Sequence, residues 1–437
     1  MNADIKTRVH WLLGYGLPRW TLKLLARRGD PFSQLLIQSG QPDEVNRRIE
    51  QIRDRGRISA IVGGWVTADA QIVRDVLRDD RFRTSKPRDR SPFPVVQRMI
   101  AKTNPGVLNG VEPPSLLVAD PPEHARLRRL VSRAFTPRAI EGLRQGIQEI
   151  ADTLLDDLEG NNQCDLIAAY ASQIPIAVIV EMLGISRDEA PHLQTFAEPG
   201  TKILNSTSPS WREYRTAIAA LREFETYLAA HIERLRRGGA EDSILSAVLH
   251  DGDLTETEVR MFAGLLLGAG FITTTHAFGN AVVALVGHRD QLARLQEHPE
   301  GWPNAVEEVL RYDSVAHIAA RVATETVEIE GHTVQDGSAI FLLIGGANRD
   351  PAVFESPNEF DTTRANAREH ISFGSGIHSC LGASLARMEL QIGLRALFER
   401  FPRLALAGEP IPNDSTLLRG IKELPVTLGP ASVDVAR

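Results

Sequence analysis

The sequence predicts a mainly α-helical fold with small β-sheets. Three observations predict it. Apolar residues recur at helical spacing over most of the chain. The stretch from Met261 to Gly287 contains no Asp, Glu, Lys or Arg. Short strand-like runs are confined to residues 58–66 and 327–344. The 437 residues, 43% hydrophobic, can bury a large core, and no repeat, low-complexity tract or linker divides them. The expected organisation is a single catalytic body over 37–437 preceded by an extension, 1–36, helical and packed on that body.

Net charge of −7 argues against nucleic acid, whose binding surfaces are basic. Two cysteines, Cys164 and Cys380, fit a reducing cytoplasm better than a disulfide-stapled secreted chain. Near the start, Trp11-Leu12-Leu13 is cut short by Gly14, Gly16 and Pro18, so it is neither a signal segment nor a span. Trp11, Trp20, Leu24 and Leu25 interleave with Arg19, Lys23, Arg27 and Arg28. That pattern suits membrane-surface contact by residues 1–30, although a helix packed on the body is the favoured reading.

In chain order, Ile58–Ile61 and Trp65-Val66 flank Gly63-Gly64 as a hairpin. A helix follows from Asp69 with Ile72, Val73, Val76 and Leu77 on one face. Prolines make Ser91–Pro114 a long loop with at most short helices. Asp120-Pro121-Pro122-Glu123 reads as a helix start with Asp120 as its cap. Helices are expected over Arg138–Glu159, Ala168–Leu183 and Trp211–Arg237. Thr255 and Glu258 form a capping box opening the long uncharged helix. That helix is long enough to span a bilayer, but Thr273-Thr274-Thr275, His276 and Asn280 favour the centre of a large protein. Beyond it come a helix around Ala305–Arg311, strands at Val327–Ile329 and Ala339–Ile344 with turns at Gly331 and Gly337, and a last helix from Leu381 to Phe398.

The segment Phe373-Gly374-Ser375-Gly376-Ile377-His378-Ser379-Cys380-Leu381-Gly382 is the most informative. Its glycines allow a flat ligand to lie against the main chain, and Cys380 stands where the loop enters a helix, a setting that favours a thiolate. A zinc reading fails, because no second Cys/His pair has suitable spacing. Phe373, Gly376, His378, Cys380 and Gly382 match the cysteine loop of the cytochrome P450 family, which this chain resembles from about residue 40 to residue 430.

The resemblance implies the family's triangular-prism fold, with heme b (iron protoporphyrin IX) between a central helix and a Cys-bearing helix. Cys380 would be the axial iron ligand, Phe373, Gly374 and Gly382 would border the haem, and His124, Arg128, Arg321 and His378 would meet its propionates. Glu308 and Arg311 match the Glu-x-x-Arg motif, a structural pair. The family's third member is an Arg in Pro-x-Arg-Phe, but here Pro357-Asn358-Glu359-Phe360 has Glu359, with Arg364 as the candidate substitute. Ala347-Asn348-Arg349-Asp350-Pro351 resembles a further structural segment.

Ala269-Gly270-Phe271-Ile272-Thr273-Thr274 resembles the oxygen-side motif. Gly270 would leave room for dioxygen and Thr273 would offer a hydroxyl, the plainer alternative being a bond back to the i−4 carbonyl. Ile272 stands where the family usually has a proton-relaying acid. Three readings follow: a substitute relay, which is preferred; use of peroxide; or an atypical reaction needing little proton delivery. The implied activity is insertion of one oxygen atom from dioxygen into a hydrophobic small molecule. Electrons would come from NAD(P)H through a ferredoxin reductase and a ferredoxin, docking on a basic surface at Arg126, Arg129 and Arg133. A haem protein that binds ligand without turnover is the rival. Ser91–Ser115, Glu198–Ser210, Leu265–Thr274, Val315–Ala320 and Leu417–Ile421 are the expected substrate pocket.

Overall fold

The computed structural model describes residues 3–37, 40–91, 93–206, 208–238, 243–251 and 253–429. Its axis is the uncharged stretch, which forms the core of a continuous helix, Glu256–Gly287, of 32 residues. The start is set by reciprocal capping, with Thr255 N–H donating to Glu258 Oε2 (2.7 Å) and Glu258 N–H to Thr255 Oγ1 (3.3 Å). By length and composition this helix could cross a membrane. Here both halves are sunk in protein, as a helix apolar on most sides requires. Phe262 and Leu267 pack with Ile176 and Val180, while Phe278 and Leu285 pack with Tyr170, Leu390 and Leu397.

Two core clusters meet along this helix. One contains the helices Arg144–Leu158, Trp302–Tyr312 and Ala383–Arg400; the other contains Gln173–Met182, Ala190–Gly200 and part of Trp211–Arg236. A five-stranded sheet lies to one side, in the order Ser59–Ile61, Gly64–Thr67, Ala339–Leu343, Ile318–Ala323, Phe82–Thr84. Gly64–Thr67 and Ala339–Leu343 run parallel and the other pairs antiparallel. The sheet and the helix Ala70–Arg78, with Ile72, Val73, Val76 and Leu77 all buried, bury a third cluster.

The proline-rich loop holds a short helix, Pro94–Lys102, whose first turn tolerates Pro94 because a proline there removes an N–H with no intrahelical partner. Other expectations need correction. The helix expected over Arg138–Glu159 is two, Pro137–Gly142 and Arg144–Leu158, separated at Leu143. Asp120 does not cap the helix Glu123–Ser132; its carboxylate accepts from Thr84 and pairs with Lys86. Residues 3–37 form helices at Ala3–Trp11, Leu17–Arg27 and Pro31–Ile37. The last spans the expected boundary at 36 and buries Leu35 and Leu36 against Val45 and Ile49 of the body. Positions 1–2, 38–39, 92, 207, 239–242, 252 and 430–437 lie outside the described residues. They touch the expected extension, catalytic body and two of the expected pocket segments.

Candidate active site

The Cys loop is folded by two constraints. Cys380 N–H donates to the Phe373 carbonyl (2.8 Å), closing the loop on itself. Gly376 adopts φ +71°, and a Cβ there would lie 2.5 Å from the Leu77 carbonyl, so only glycine fits. Cys380 is exposed although its sulfur lies deep among protein atoms, which means it opens into a cleft rather than onto the outer surface. Burial raises its thiol pKa, whereas the Gly382 N–H and the charges of Arg128 and Arg387 favour the thiolate.

Four basic groups from distant segments converge on the same region. The His124 and His378 rings lie 4.2 Å apart, and both they and Arg128 and Arg321 influence one another's charge. Burial pushes Arg321 down to about 10. Burial, then His124 and Arg321, pushes His378 to about 3. His124 Nε2 is buried without a hydrogen-bond partner among the described residues, and Asp120 is the carboxylate that opposes these shifts. A cationic pocket so short of anions fits the dianionic edge of a porphyrin, which would supply the acceptors these groups lack. The residues present therefore fit a haem held by Cys380.

Behind the loop, Arg311 grips Glu308 through two bonds (Nε 2.7 Å, Nη2 2.8 Å), with both side chains fully buried. The remaining Arg311 donors reach the carbonyls of Asn348, Pro357 and Glu359. Arg364 completes the network, its Nε 3.3 Å from Glu308 and its other nitrogens on the Glu355, Ser356 and Glu359 carbonyls. It occupies the role left vacant by Glu359, which contributes only its carbonyl. Asn348 ties this region to the Cys loop through Ser372 (2.7 Å) and the Ile371 N–H (2.6 Å).

A second network escaped sequence reasoning. Glu307 accepts from Arg387 Nε (2.8 Å) and contacts His370 Nε2 (3.0 Å), which together hold its carboxyl at about 2 against the opposing effect of burial. Arg387 also lies over the Phe373 ring at 4.5 Å.

On the central helix, the first half of the motif, Ala269–Phe271, lies in a π-helical segment, Leu266–Phe271, a helix irregularity common at functional sites. Thr273 Oγ1 donates to the Ala269 carbonyl at 2.6 Å, the plainer arrangement foreseen for it. A Cβ on Gly270 would stand 3.0 Å from Ile179 Cδ1, so its missing side chain admits the helix Gln173–Met182. Ile272 packs into the apolar cluster. An acid that sequence reasoning missed adjoins this helix: Glu389 is buried, hydrogen-bonded to Thr274, and raised to about 8 by desolvation. Its sequence signal was available, because Leu385, Glu389, Ile392 and Ala396 share the buried side of their helix.

A narrow apolar pocket, with a cavity volume of about 50 Å³, adjoins Gly268 and Leu265. Of the expected segments, Leu108–Gly110, Gly200–Leu204 and Leu265–Gly268 contribute to it. The strand and C-terminal segments do not; His317 and Arg419–Ile421 line a different, more polar cavity with Asn280 and Asn413. The expected basic docking surface is also altered. Arg126 pairs with Glu123 and Glu258, and Arg133 lies 3.7 Å from Asp253, while Arg129 and Arg133 are both exposed.

A cysteine opening into a deep cleft, backed by glycine turns and faced by a cationic cluster, defines a haem-thiolate enzyme class. The family model for cytochrome P450 matches residues 303–427. The chain is 38% identical to cytochrome P450 140 of Mycobacterium tuberculosis over 98% of this chain and 99% of that protein. It is 36% identical to the 6-deoxyerythronolide B hydroxylase of Saccharopolyspora erythraea over 83% and 90%. Among solved structures, P450BioI in complex with a hexadec-9Z-enoic acid-ligated acyl carrier protein aligns with a TM-score of 0.81 at 32% identity, covering 88% of this chain and 98% of that one. The chain belongs to the cytochrome P450 family. It is a monooxygenase with haem as cofactor, which sets aside the ligand-binding rival without turnover.

Proposed function

We propose that this monooxygenase oxidises a hydrophobic small molecule held in the pocket beside Gly268, with electrons passed from NAD(P)H by a ferredoxin reductase and a ferredoxin. The observation that carries the substrate class is the apolar lining of that pocket. Solved relatives with hexadec-9Z-enoic acid, myristic acid and testosterone support it. In this reading residues 37–437 are the catalytic body and 1–36 an appended helical segment.

When bound, the haem supplies dioxygen activation and the transfer of one oxygen atom to a C–H or C=C bond. The chain's own residues set its position and protonation. Cys380 would hold the iron as a thiolate, a form favoured by the Gly382 N–H and by the charges of Arg128 and Arg387. Phe373, Gly374 and Gly382 would border the ring, Arg128 and Arg321 would neutralise its carboxylates, and His124 and His378 would donate hydrogen bonds to them. Glu308, Arg311 and Arg364 hold the segment behind the Cys loop. Thr273 would offer its hydroxyl for proton transfer. With Ile272 unable to carry a proton, Glu389 holds one near neutral pH beside Thr274, one residue along from Thr273, and this pair is the substitute relay. Gly270 serves the close packing that shapes this helix.

Titrating the ferric protein with fatty acids, steroids and macrolactones, read as a haem spin-state shift, tests the substrate class. Apolar ligands should produce the shift, followed by product when a surrogate reductase is added. A shift confined to charged hydrophilic compounds contradicts it. A peroxide-driven reaction is favoured by Ile272 alone, and turnover with peroxide but not with the reductase would select it.

A further inference from the structure

Residues 5–29 contain six basic side chains, Lys6, Arg8, Arg19, Lys23, Arg27 and Arg28, and no acid, in a chain whose net charge is −7. Within this stretch the helix Leu17–Arg27 has two different sides. Leu22 and Ala26 face the neighbouring helices and the body. Leu17, Trp20 and Leu24, at i, i+3 and i+7, point outward and are exposed by 53%, 80% and 51%. Lys23, Arg27 and Arg28 are exposed around them and make no ion pair among the described residues.

A Trp exposed to this degree costs hydration free energy and does nothing for the fold on which it sits. An apolar stripe of Leu and Trp ringed by unpaired cations is complementary to a surface that offers hydrocarbon beneath negative charge. We propose that this outward face docks on an anionic lipid bilayer, with Leu17, Trp20 and Leu24 entering the interface and Lys23, Arg27 and Arg28 meeting the headgroups. A second copy of the chain is a poorer occupant. A two-fold contact through this face would set the same cations against one another.

The segment is fixed to the catalytic body near the pocket. Trp11 Nε1 donates to the Pro209 carbonyl (3.0 Å), and Arg19 donates to the Ser208 carbonyl. Trp11 also packs on Trp211, with ring centroids 5.6 Å apart. Ile203 and Leu204, a few residues before these anchors, line the apolar pocket. Docking would therefore hold that side of the pocket towards the bilayer, where apolar substrates concentrate.

The test is co-sedimentation of the haem-loaded full chain with vesicles of phosphatidylcholine alone or mixed with phosphatidylglycerol. Wild type should partition onto the mixed vesicles, be released by salt, and show a blue shift of tryptophan emission that is reduced in Trp20→Phe. Neutralising Lys23, Arg27 and Arg28 to Gln should weaken partitioning by roughly 100-fold, given the contribution of each basic residue near an anionic surface. Trp20→Ser with Leu24→Ser should also weaken it. Haem content and vesicle-free turnover should stay at wild-type levels in every variant, since these side chains are exposed and outside the site. The proposal is overturned if wild type stays in the supernatant with mixed vesicles, or if the Trp20→Ser, Leu24→Ser variant partitions as wild type does. It is also overturned if the face instead mediates a dimer that the same variant dissociates while no vesicle binding occurs.

Discussion

Gly376 shows how one residue can be fixed twice over. Its positive φ disfavours any side chain, and the Leu77 carbonyl occupies the space a Cβ would need. Gly376→Ala should destabilise the protein by ~2 kcal/mol or more and reduce haem retained per chain, as read by urea unfolding and haem content. Gly382→Ala, at φ −84° with no atom within 4 Å of its Cβ, should leave chain stability within ~0.5 kcal/mol. Ile272 poses the opposite case, a residue whose chemistry is conspicuous by being inert. If Glu389 and Thr274 serve as the relay, Ile272→Glu should leave the ratio of product to NAD(P)H consumed nearly unchanged. Glu389→Gln should lower that ratio and the proton-linked rate by roughly 10-fold or more. Tight coupling that survives Glu389→Gln contradicts the relay.

Among the elements, the Glu308–Arg311 helix and the segment after it were partly legible in advance. The i,i+3 spacing placed acid and base on one helical face, and Arg364 was the candidate for the missing third partner because Glu359 could not be. The second network, Glu307 with His370 and Arg387, was not legible. Its members come from three separate segments whose meeting depends on tertiary packing. Removing Glu308 as Ala leaves the Arg311 charge buried and uncompensated, at an expected cost of ~3–5 kcal/mol. Arg364→Met breaks longer contacts and should cost less, ~1–3 kcal/mol. Urea denaturation of the two variants checks the order; an equal or reversed ranking contradicts the geometry. One misread element has a tertiary cause: Asp120 reads as a cap but is drawn away by Thr84 and Lys86, from a segment more than thirty residues earlier.

Across the whole molecule, the long uncharged helix, its capping box and the Cys loop were readable, because composition and glycine pattern constrain them locally. The pocket was only half readable, since which strand faces which cavity is a property of the assembled sheet: His317 lines the polar cavity rather than the apolar pocket. Burial at this scale also sets the response to pH. His276 is held at about 4 by desolvation, below its usual 6.5, so the unfolded chain takes up a proton there before the folded one does. Stability from this group is complete above about pH 6.5 and is lost as pH falls towards 4, a change of ~3 kcal/mol. Glu389 acts in the other direction: raised to about 8 from 4.5, it costs stability as pH rises through that interval. Thermal unfolding against pH should therefore show loss at both ends with the two effects offsetting one another between about pH 4.5 and 6.5, and Glu389→Gln should flatten the fall above about pH 6.5 while steepening the acid side.

The central claim is that the Cys380 sulfur binds the haem iron. Its most direct measurement is the absorption spectrum of the reduced carbon-monoxide adduct of wild type and of Cys380→Ser, each supplied with haem. Wild type should give the thiolate-type band and the variant should lack it while still binding haem through its basic cluster. A wild type that never shows that band, or a Cys380→Ser protein that keeps it, would contradict the account.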